Sequence, residues 1–150
     1  MPNAGEKIKL LFLCTGNSCR SQMAEGWGRH LKGDIIEAYS AGIETHALDR
    51  RAVRVMQEVG VDISGHRSKH LEDVRDVPFD YVVTVCDHAH ESCPMWLGGK
   101  AKVIHVGFDD PPRLARDARS EEEALSHYRR IRDEIRAFVE TLPRSLESAS

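Results

Sequence analysis

Short apolar runs alternate with helical patterns along this chain, and that alternation constrains its fold more than any other feature. The first run reads IKLLFLC, a continuous apolar stretch interrupted by a single lysine. Runs of this length are typical of strands that are buried on both faces of a parallel sheet. Four such runs occur, at residues 8–14, 35–41, 79–86 and 101–106.

Apolar residues at helical spacing fill the intervals between these runs and the stretch after them. The first helix is predicted over residues 21–32. A second is expected to begin after the N-cap Asp49 and to end at Gly60. A long third helix follows Ser120, which with Glu123 has the spacing of a capping box. Strands alternating with helices predict a parallel sheet with helices on both faces.

The length and composition of the chain fit one globular domain. It has 150 residues, of which 41% are apolar and 30% are charged. We expect a single three-layer α/β domain over residues 1–150, with four parallel strands in the order 2-1-3-4. Only the ends, residues 1–6 and 144–150, are expected to be loose.

Charge and hydropathy narrow the classes of function. A net charge of −3 gives no basic footprint for nucleic acid or a membrane surface. The apolar run at residues 8–14 is too short for a secretory signal or a spanning helix, so we expect a cytoplasmic protein. Thiols stay reduced in the cytoplasm, and clustered cysteines there are more often catalytic or metal-binding than structural.

Three chemistry-bearing residues follow predicted strands. Cys14 ends the first strand, Cys86 ends the third, and Asp110 lies just beyond the fourth. Open α/β sheets bind ligands outside the carboxyl ends of their strands, near the change in winding direction. Adjacent strands lie about 4.8 Å apart, so Cys14 and Cys86 should end side by side if the first and third strands are neighbours.

The stretch from Cys14 to Ser21 reads CTGNSCRS, a C-x5-R-S loop between a strand and a helix. Successive backbone N–H groups in such a loop form a nest for an oxyanion, and the helix N-terminus adds positive potential. Arg20 can bind two oxygens, while Ser21 can donate a hydrogen bond to a Cys14 thiolate. The expected oxyanion-binding residues are Thr15, Gly16, Asn17, Ser18, Cys19 and Arg20. The alternative interpretation of the same pattern is structural: a buried cysteine at the end of a strand, followed by a helix cap.

A second cysteine pair lies in the stretch VCDHAHESC, residues 85–93. Cys86, His88, His90 and Cys93 are spaced too tightly for an ordinary tetrahedral zinc site, so we predict no metal. In a helix, Cys86 and Cys93 would lie roughly 10 Å apart. A disulfide needs Cα atoms within about 4.4–6.8 Å, so the segment would have to unwind before the two could bond.

The stretches CTGNSCRSQMAEGW and YSAGIETH resemble the low-molecular-weight protein tyrosine phosphatase superfamily, and they are most similar to its thioredoxin-coupled arsenate reductase branch. The resemblance runs from about Lys7 to Leu142 and implies that fold. It also implies that an aspartate before a proline acts as general acid, a position that matches Asp110, with Asp109 as the alternative. Pro112 and Arg113 stand where the phosphatases have aromatic residues, which favours a small inorganic anion.

The arsenate reductase resemblance implies a relay of three thiols. Cys14 attacks arsenate, Cys86 attacks Cys14 as arsenite leaves, and Cys93 then attacks Cys86. Thioredoxin reduces the Cys86–Cys93 disulfide, and no bound cofactor is needed. Cys19 is left with a structural or tuning role. We expect a monomer with arsenate and thioredoxin as its partners.

Two other functions stay open at this point. One is a phosphatase acting on aryl phosphates, in which Cys86 and Cys93 protect the nucleophile from oxidation. The other is a non-catalytic metal-binding or redox-sensing module.

Some reductases of this branch bind potassium beside the loop through an asparagine, a glutamate, a serine and an aspartate. Asn17, Glu25 and Ser40 match the first three, but Lys69 stands at the fourth position. A lysine ammonium would repel a cation, so we predict no potassium requirement.

Overall fold

The computed structural model describes residues 6–86, residue 89 and residues 101–148. Its four strands form one parallel sheet in the order β2-β1-β3-β4, which confirms the predicted topology. The strands are β1 (Ile8–Cys14), β2 (Ile36–Gly42), β3 (Tyr81–Thr84) and β4 (Lys102–His105). Strands β3 and β4 are shorter than predicted because the chain leaves the ladder to form the loops at the rim.

Strand β1 lies at the centre of the sheet, between β2 and β3. Its four consecutive residues Leu10, Leu11, Phe12 and Leu13 are all fully buried. Since successive side chains of a strand point to opposite faces, both faces of the sheet must be covered. The continuous apolar run in the sequence is therefore the signature of this central position.

Helices cover the sheet in the described part of the chain. They are α1 (Arg20–Lys32), α2 (Arg50–Glu58), α3 (Pro111–Ala115), α4 (Glu121–Glu140), α5 (Arg144–Ser148) and a 3-10 turn at Leu71–Val74. Two of the three predicted capping features, the N-cap Asp49 and the terminal Gly60, are present. Asp49 accepts from the amides of Arg51 and Ala52, and Gly60 has a left-handed φ of 80° after α2.

The predicted capping box at α4 is only half formed. Ser120 Oγ accepts from the Glu123 amide at 3.1 Å. The Glu123 carboxylate, however, accepts from the amide of Arg119 at 2.6 Å, one residue before the cap. The extended backbone of Ser120 turns its own amide away from the helix, so Glu123 bonds the preceding amide instead.

The C-terminal residues correct one expectation. Residues 144–148 form α5, and Leu146 is fully buried in the core. Leu142 is buried four residues earlier, so the two leucines extend an apolar face past the end of α4. The prediction of a loose end is therefore wrong for these residues.

None of the helices in the described residues has the length and apolar character needed to cross a bilayer.

We expect Leu146→Ala to lower the free energy of unfolding by roughly 2–4 kcal/mol, because it removes a buried side chain and leaves a cavity. Arg144→Ala, at an exposed position of the same helix, should change it by less than about 0.5 kcal/mol. Urea denaturation of the two variants would measure both values. Equal stability of Leu146→Ala and the wild type would mean that α5 does not pack as described.

Candidate active site

The residues predicted to bind an oxyanion, 15–20, form a loop between β1 and α1, and we call it the oxyanion loop. A flanking segment, residues 43–49, runs beside it as an extension of β2 and binds its carbonyl groups. Four amides donate to four carbonyls: Ile43 to Cys14 at 3.1 Å, and Glu44 to Thr15, His46 to Gly16 and Asp49 to Ser18 at 2.9 Å each. In a trans peptide the C=O and N–H point in opposite directions. The loop amides that follow these carbonyls therefore face away from the flanking segment, as an anion nest requires.

Cys14 is buried at the start of this loop, and polar groups surround its sulfur. Ser21 Oγ lies 2.8 Å from Cys14 Sγ, and the Asn17 amide donates to the same sulfur at 3.3 Å. Asn17 Nδ2 donates to Ser21 Oγ at 2.9 Å, which leaves the hydroxyl hydrogen of Ser21 free to point at the sulfur. Both groups can therefore donate to the Cys14 sulfur and hold it in place.

Asn17 has a left-handed φ of 51°, a conformation that asparagine tolerates better than most residues. Its side chain is buried and fully used. Asn17 Oδ1 accepts from the Lys69 amide at 2.7 Å, while Nδ2 binds Ser21. Gly42 lies directly beneath, where a Cβ atom would come within 2.9 Å of the Asn17 nitrogen and 2.8 Å of the Thr15 oxygen. Only glycine permits the backbone of β2 to approach the loop this closely.

Gln22 is a site residue that the sequence analysis missed. Its buried Nε2 group donates to the Asn17 carbonyl at 3.1 Å, to Asn17 Oδ1 at 3.0 Å and to the carbonyl of Arg67 at 2.9 Å. Gln22 Oε1 meets His66 Nδ1 at 3.0 Å. The available signal was a polar residue on the buried side of α1, directly after the motif.

Arg20 and Asp110 meet at the opposite side of the loop. Arg20 Nη1 donates to the carbonyl of Phe108 at 2.8 Å, and Nη2 lies 3.7 Å from Asp110 Oδ1. Asp109 is instead paired with Arg130 of α4 at 3.2 Å. Of the two candidate acids, Asp110 is therefore the one beside the loop.

Cys86 lies at the same rim of the sheet as Cys14. It follows β3, whose Thr84 pairs with Leu13 of β1. Cys86 Sγ lies 3.3 Å from Thr15 Oγ1 and accepts from the Ala89 amide at 3.4 Å. The neighbouring strands thus bring the second thiol next to the first residue of the oxyanion loop. Cys93, His88 and His90 lie outside the described residues.

Cys14, Cys19 and Cys86 are free thiols. Burial, and next to it the negative charge of Asp49, raises the pKa of the Cys19 thiol well above its usual value. Asp49 is held by the hydroxyl of Tyr128, which donates to Oδ2 at 2.7 Å. Cys19 is therefore kept protonated, which suits the structural or tuning role expected for it.

A buried carboxylate, Glu25, lies behind the loop. Ser40 Oγ donates to Glu25 Oε1 at 2.5 Å, and Arg29 Nη2 lies 2.8 Å from Oε2. Lys69 Nζ lies 3.6 Å from Oε1. Burial lowers the pKa of nearby His66, although the charge of Glu25 opposes that shift. The positive charges of Lys69 and Arg29 already compensate this carboxylate.

The part of the chain that the structure describes contains no cluster of three or more His, Cys, Asp or Glu residues that could hold a metal ion.

Comparisons with known proteins identify the family of the chain. The family described as Low molecular weight phosphotyrosine protein phosphatase matches residues 9–149. An arsenate reductase of Bacillus subtilis is 48% identical over 136 residues, covering 88% of this chain and 95% of the relative.

Two solved structures are also similar. An arsenate reductase in the phosphate binding state has a TM-score of 0.76 and 30% identity, covering 95% of this chain and 99% of its own. A thioredoxin-dependent arsenate reductase of Corynebacterium glutamicum has a TM-score of 0.70 and 25% identity, covering 98% of this chain and 65% of its own. The chain therefore belongs to the low molecular weight phosphotyrosine protein phosphatase family, among its arsenate reductase relatives.

Proposed function

We propose that this protein reduces arsenate to arsenite through a relay of Cys14, Cys86 and Cys93, and that thioredoxin restores the thiols. The observation that carries the proposal is the position of Cys86 against Thr15 at the edge of the oxyanion loop. Hydrolysis of a phosphate ester needs one nucleophilic cysteine. A second thiol at that edge is what an electron-transfer path away from Cys14 requires.

Arsenate is a tetrahedral oxyanion, and the oxyanion loop supplies the matching donors. Its amides face away from the flanking segment that binds its carbonyls. Arg20 adds a guanidinium that is mostly buried and anchored on the carbonyl of Phe108. This anchoring holds the positive charge of Arg20 beside the loop before the substrate arrives, which lowers the cost of reorganisation on binding.

The first chemical step forms a bond between Cys14 Sγ and arsenic(V). One oxygen leaves arsenic as water, and Asp110 supplies a proton to it. The hydrogen bonds from Ser21 and Asn17 favour the attacking thiolate. Asp110 lies beside Arg20 and is partly exposed, so it can reload from solvent.

The second step transfers two electrons. The Cys86 thiolate attacks Cys14 Sγ, the sulfur–arsenic bond breaks, and its electron pair stays on arsenic, which leaves as arsenite. A Cys14–Cys86 disulfide remains. The 3.3 Å separation of Cys86 Sγ from Thr15 Oγ1 supports this step, because Thr15 directly follows Cys14 in the chain.

Cys93 then attacks Cys86 by thiol–disulfide exchange and releases Cys14. The resulting Cys86–Cys93 disulfide needs an external reductant, and no bound cofactor takes part. The similarity to a thioredoxin-dependent reductase supports thioredoxin as that reductant.

A phosphatase is the second candidate, because Cys14, Arg20 and Asp110 suffice to cleave an aryl phosphate. Pro112 and Arg113 follow Asp110 in place of aromatic residues and offer such a substrate no ring to pack against.

We expect Cys86→Ser and Cys93→Ser each to reduce thioredoxin-coupled arsenate turnover to background, since each variant breaks the electron path. Hydrolysis of p-nitrophenyl phosphate, if the protein catalyses it, should survive both. Cys19→Ser is the matched control and should retain reduction, because its protonated thiol has no place in the relay. The measurement is NADPH consumption with thioredoxin and thioredoxin reductase, with a small-thiol system for comparison. Wild-type rates in Cys86→Ser would exclude the relay.

Asp110→Asn should lower kcat for arsenate by about 100-fold, the lower end of the usual contribution of a general acid. Asp109→Asn should change kcat by less than about threefold, because Asp109 faces Arg130 and is held by it. Steady-state kinetics on the pair would distinguish them. A larger loss of kcat in Asp109→Asn than in Asp110→Asn would show that Asp109 is the general acid.

Potassium should not stimulate the wild-type protein, because the ammonium group of Lys69 already lies beside Glu25. Lys69→Asp should acquire potassium dependence, since it removes that charge and adds a carboxylate. Arsenate turnover in potassium or sodium chloride at equal ionic strength measures both. A steep rise of wild-type activity with potassium but not sodium would contradict the prediction.

A further inference from the structure

Two residues of the flanking segment, Glu44 and His46, have no role in the chemistry above, yet their backbone amides bind adjacent residues of the oxyanion loop. The Glu44 amide donates to the carbonyl of Thr15, and the His46 amide donates to the carbonyl of Gly16, each at 2.9 Å. Their side chains also bind each other, with His46 Nε2 at 2.8 Å from Glu44 Oε1. The two backbone anchors of the loop are therefore tied together by a side-chain bond.

The imidazole of His46 fills the space that a side chain at position 16 would need. A Cβ atom on Gly16 would lie 2.5 Å from His46 Nδ1 and 2.8 Å from His46 Cγ. The ring therefore packs against the Gly16 Cα, and its orientation is fixed by Glu44 on its other nitrogen. Contact with the ring and the backbone bond together restrict Gly16, which is otherwise the most flexible residue type in the loop.

We propose that Glu44 and His46 form a positioning pair that keeps the Thr15–Gly16 part of the oxyanion loop in its anion-binding conformation, so that the pair sets the affinity for the oxyanion. This inference rests on the proposed function for its substrate, arsenate, but the anion-binding conformation can be tested with inorganic phosphate alone. A loop that is binding-competent for only a fraction of the time has its apparent Kd raised by the inverse of that fraction. Once an anion is bound the loop is competent, so kcat at saturation is unaffected.

The exposure of the pair separates this role from a contribution to global stability. The side chains of His46 and Glu44 are 57% and 58% exposed. Ion pairs this exposed contribute little to the free energy of unfolding. The loop also keeps another anchor, because Ser68 Oγ donates to the carbonyl of Gly16 at 2.8 Å. Loss of the pair should therefore loosen the loop locally without unfolding the domain.

A double-mutant cycle tests the proposal. Glu44→Ala, His46→Ala and the double variant are titrated with inorganic phosphate, and the Kd is read from NMR shifts of the loop amides. The same proteins are assayed with arsenate for KM and kcat. Glu140→Ala is the matched control, because it removes an equally exposed carboxylate, 55% accessible, from a pair on α4. Melting temperatures verify that all variants are folded.

We expect the phosphate Kd to rise about two- to fourfold in Glu44→Ala and about five- to tenfold in His46→Ala, with the double variant no weaker than His46→Ala. The arsenate KM should follow the Kd, and kcat should stay within about twofold of the wild type. Glu140→Ala should match the wild type throughout. The proposed role of the pair would be contradicted by an unchanged phosphate Kd in His46→Ala. Strictly additive effects of the two substitutions on Kd, or a loss confined to kcat, would also contradict it.

A second cycle tests the contact with Gly16. Gly16→Ala should raise the phosphate Kd in the wild-type background, because its Cβ displaces the His46 ring. In the His46→Ala background the same change should have little further effect, since the ring is gone. An equal rise of the phosphate Kd on Gly16→Ala in both backgrounds would contradict the proposed contact between His46 and Gly16. If phosphate binding follows these patterns while arsenate is not reduced, the positioning pair stands and the proposed reaction fails.

Discussion

The parallel pairing of β1 with β2 is the interaction on which the site depends, because it does not stop where the sheet stops. The register brings Cys14 opposite Gly42. The residues that follow the two strands continue side by side. The flanking segment at 43–49 then takes the carbonyls of the oxyanion loop one after another. A loop built of free peptide groups would satisfy its carbonyls with water and sample many conformations. Here the sheet's own hydrogen-bonding pattern fixes the carbonyls on one side and leaves the amides for an anion.

Each buried charged group described at this rim has a partner within the protein. Arg20 is held by the Phe108 carbonyl and lies beside Asp110, while Glu25 is neutralised by Arg29 and Lys69. Burying an unpaired charge costs several kcal/mol, so such groups persist only where partners compensate them. Asn17, Gln22 and Ser21 are joined to one another by uncharged hydrogen bonds. The cradle is thus polar, and the negative charge of Glu25 behind it is compensated by Arg29 and Lys69.

The sequence was sufficient for the sheet and for the oxyanion loop, and the reason is local. Buried runs give strands, and CTGNSCRS carries its turn residues, its arginine and its nucleophile within eight positions. The strand order followed from such patterns. Contacts between distant segments could not be predicted in this way. Gln22 bonds to Arg67 across 45 positions, and Asp109 is drawn away from the site by Arg130 of α4.

The buried α5 was missed for the same kind of reason. Residues 144–150 are polar and end the chain, which normally indicates a loose terminus. One leucine, Leu146, reverses that expectation by continuing the apolar face of Leu142. A single apolar residue carries little weight in a periodicity argument, and only the packing of the folded chain reveals where it goes.

The two described thiols of the relay are held in opposite ways, and that difference fits their proposed tasks. Cys14 is the last residue of a strand paired on one side through to Gly42, and two donors fix its sulfur. Cys86 lies past the end of β3, where the ladder's last bonds are made by Val85 to Leu13 and to Phe108. Among the described residues, its sulfur contacts Thr15 Oγ1 at 3.3 Å and the Ala89 amide at 3.4 Å, and sulfur is a weak hydrogen-bonding partner. A nucleophile gains from being immobile, since attack needs a fixed distance to the bound anion. A thiol that must first reach one sulfur and then turn to another gains from weak restraint. Strand β3 ends at Thr84, two residues before Cys86. The strand therefore places Cys86 at the rim without holding it in the sheet.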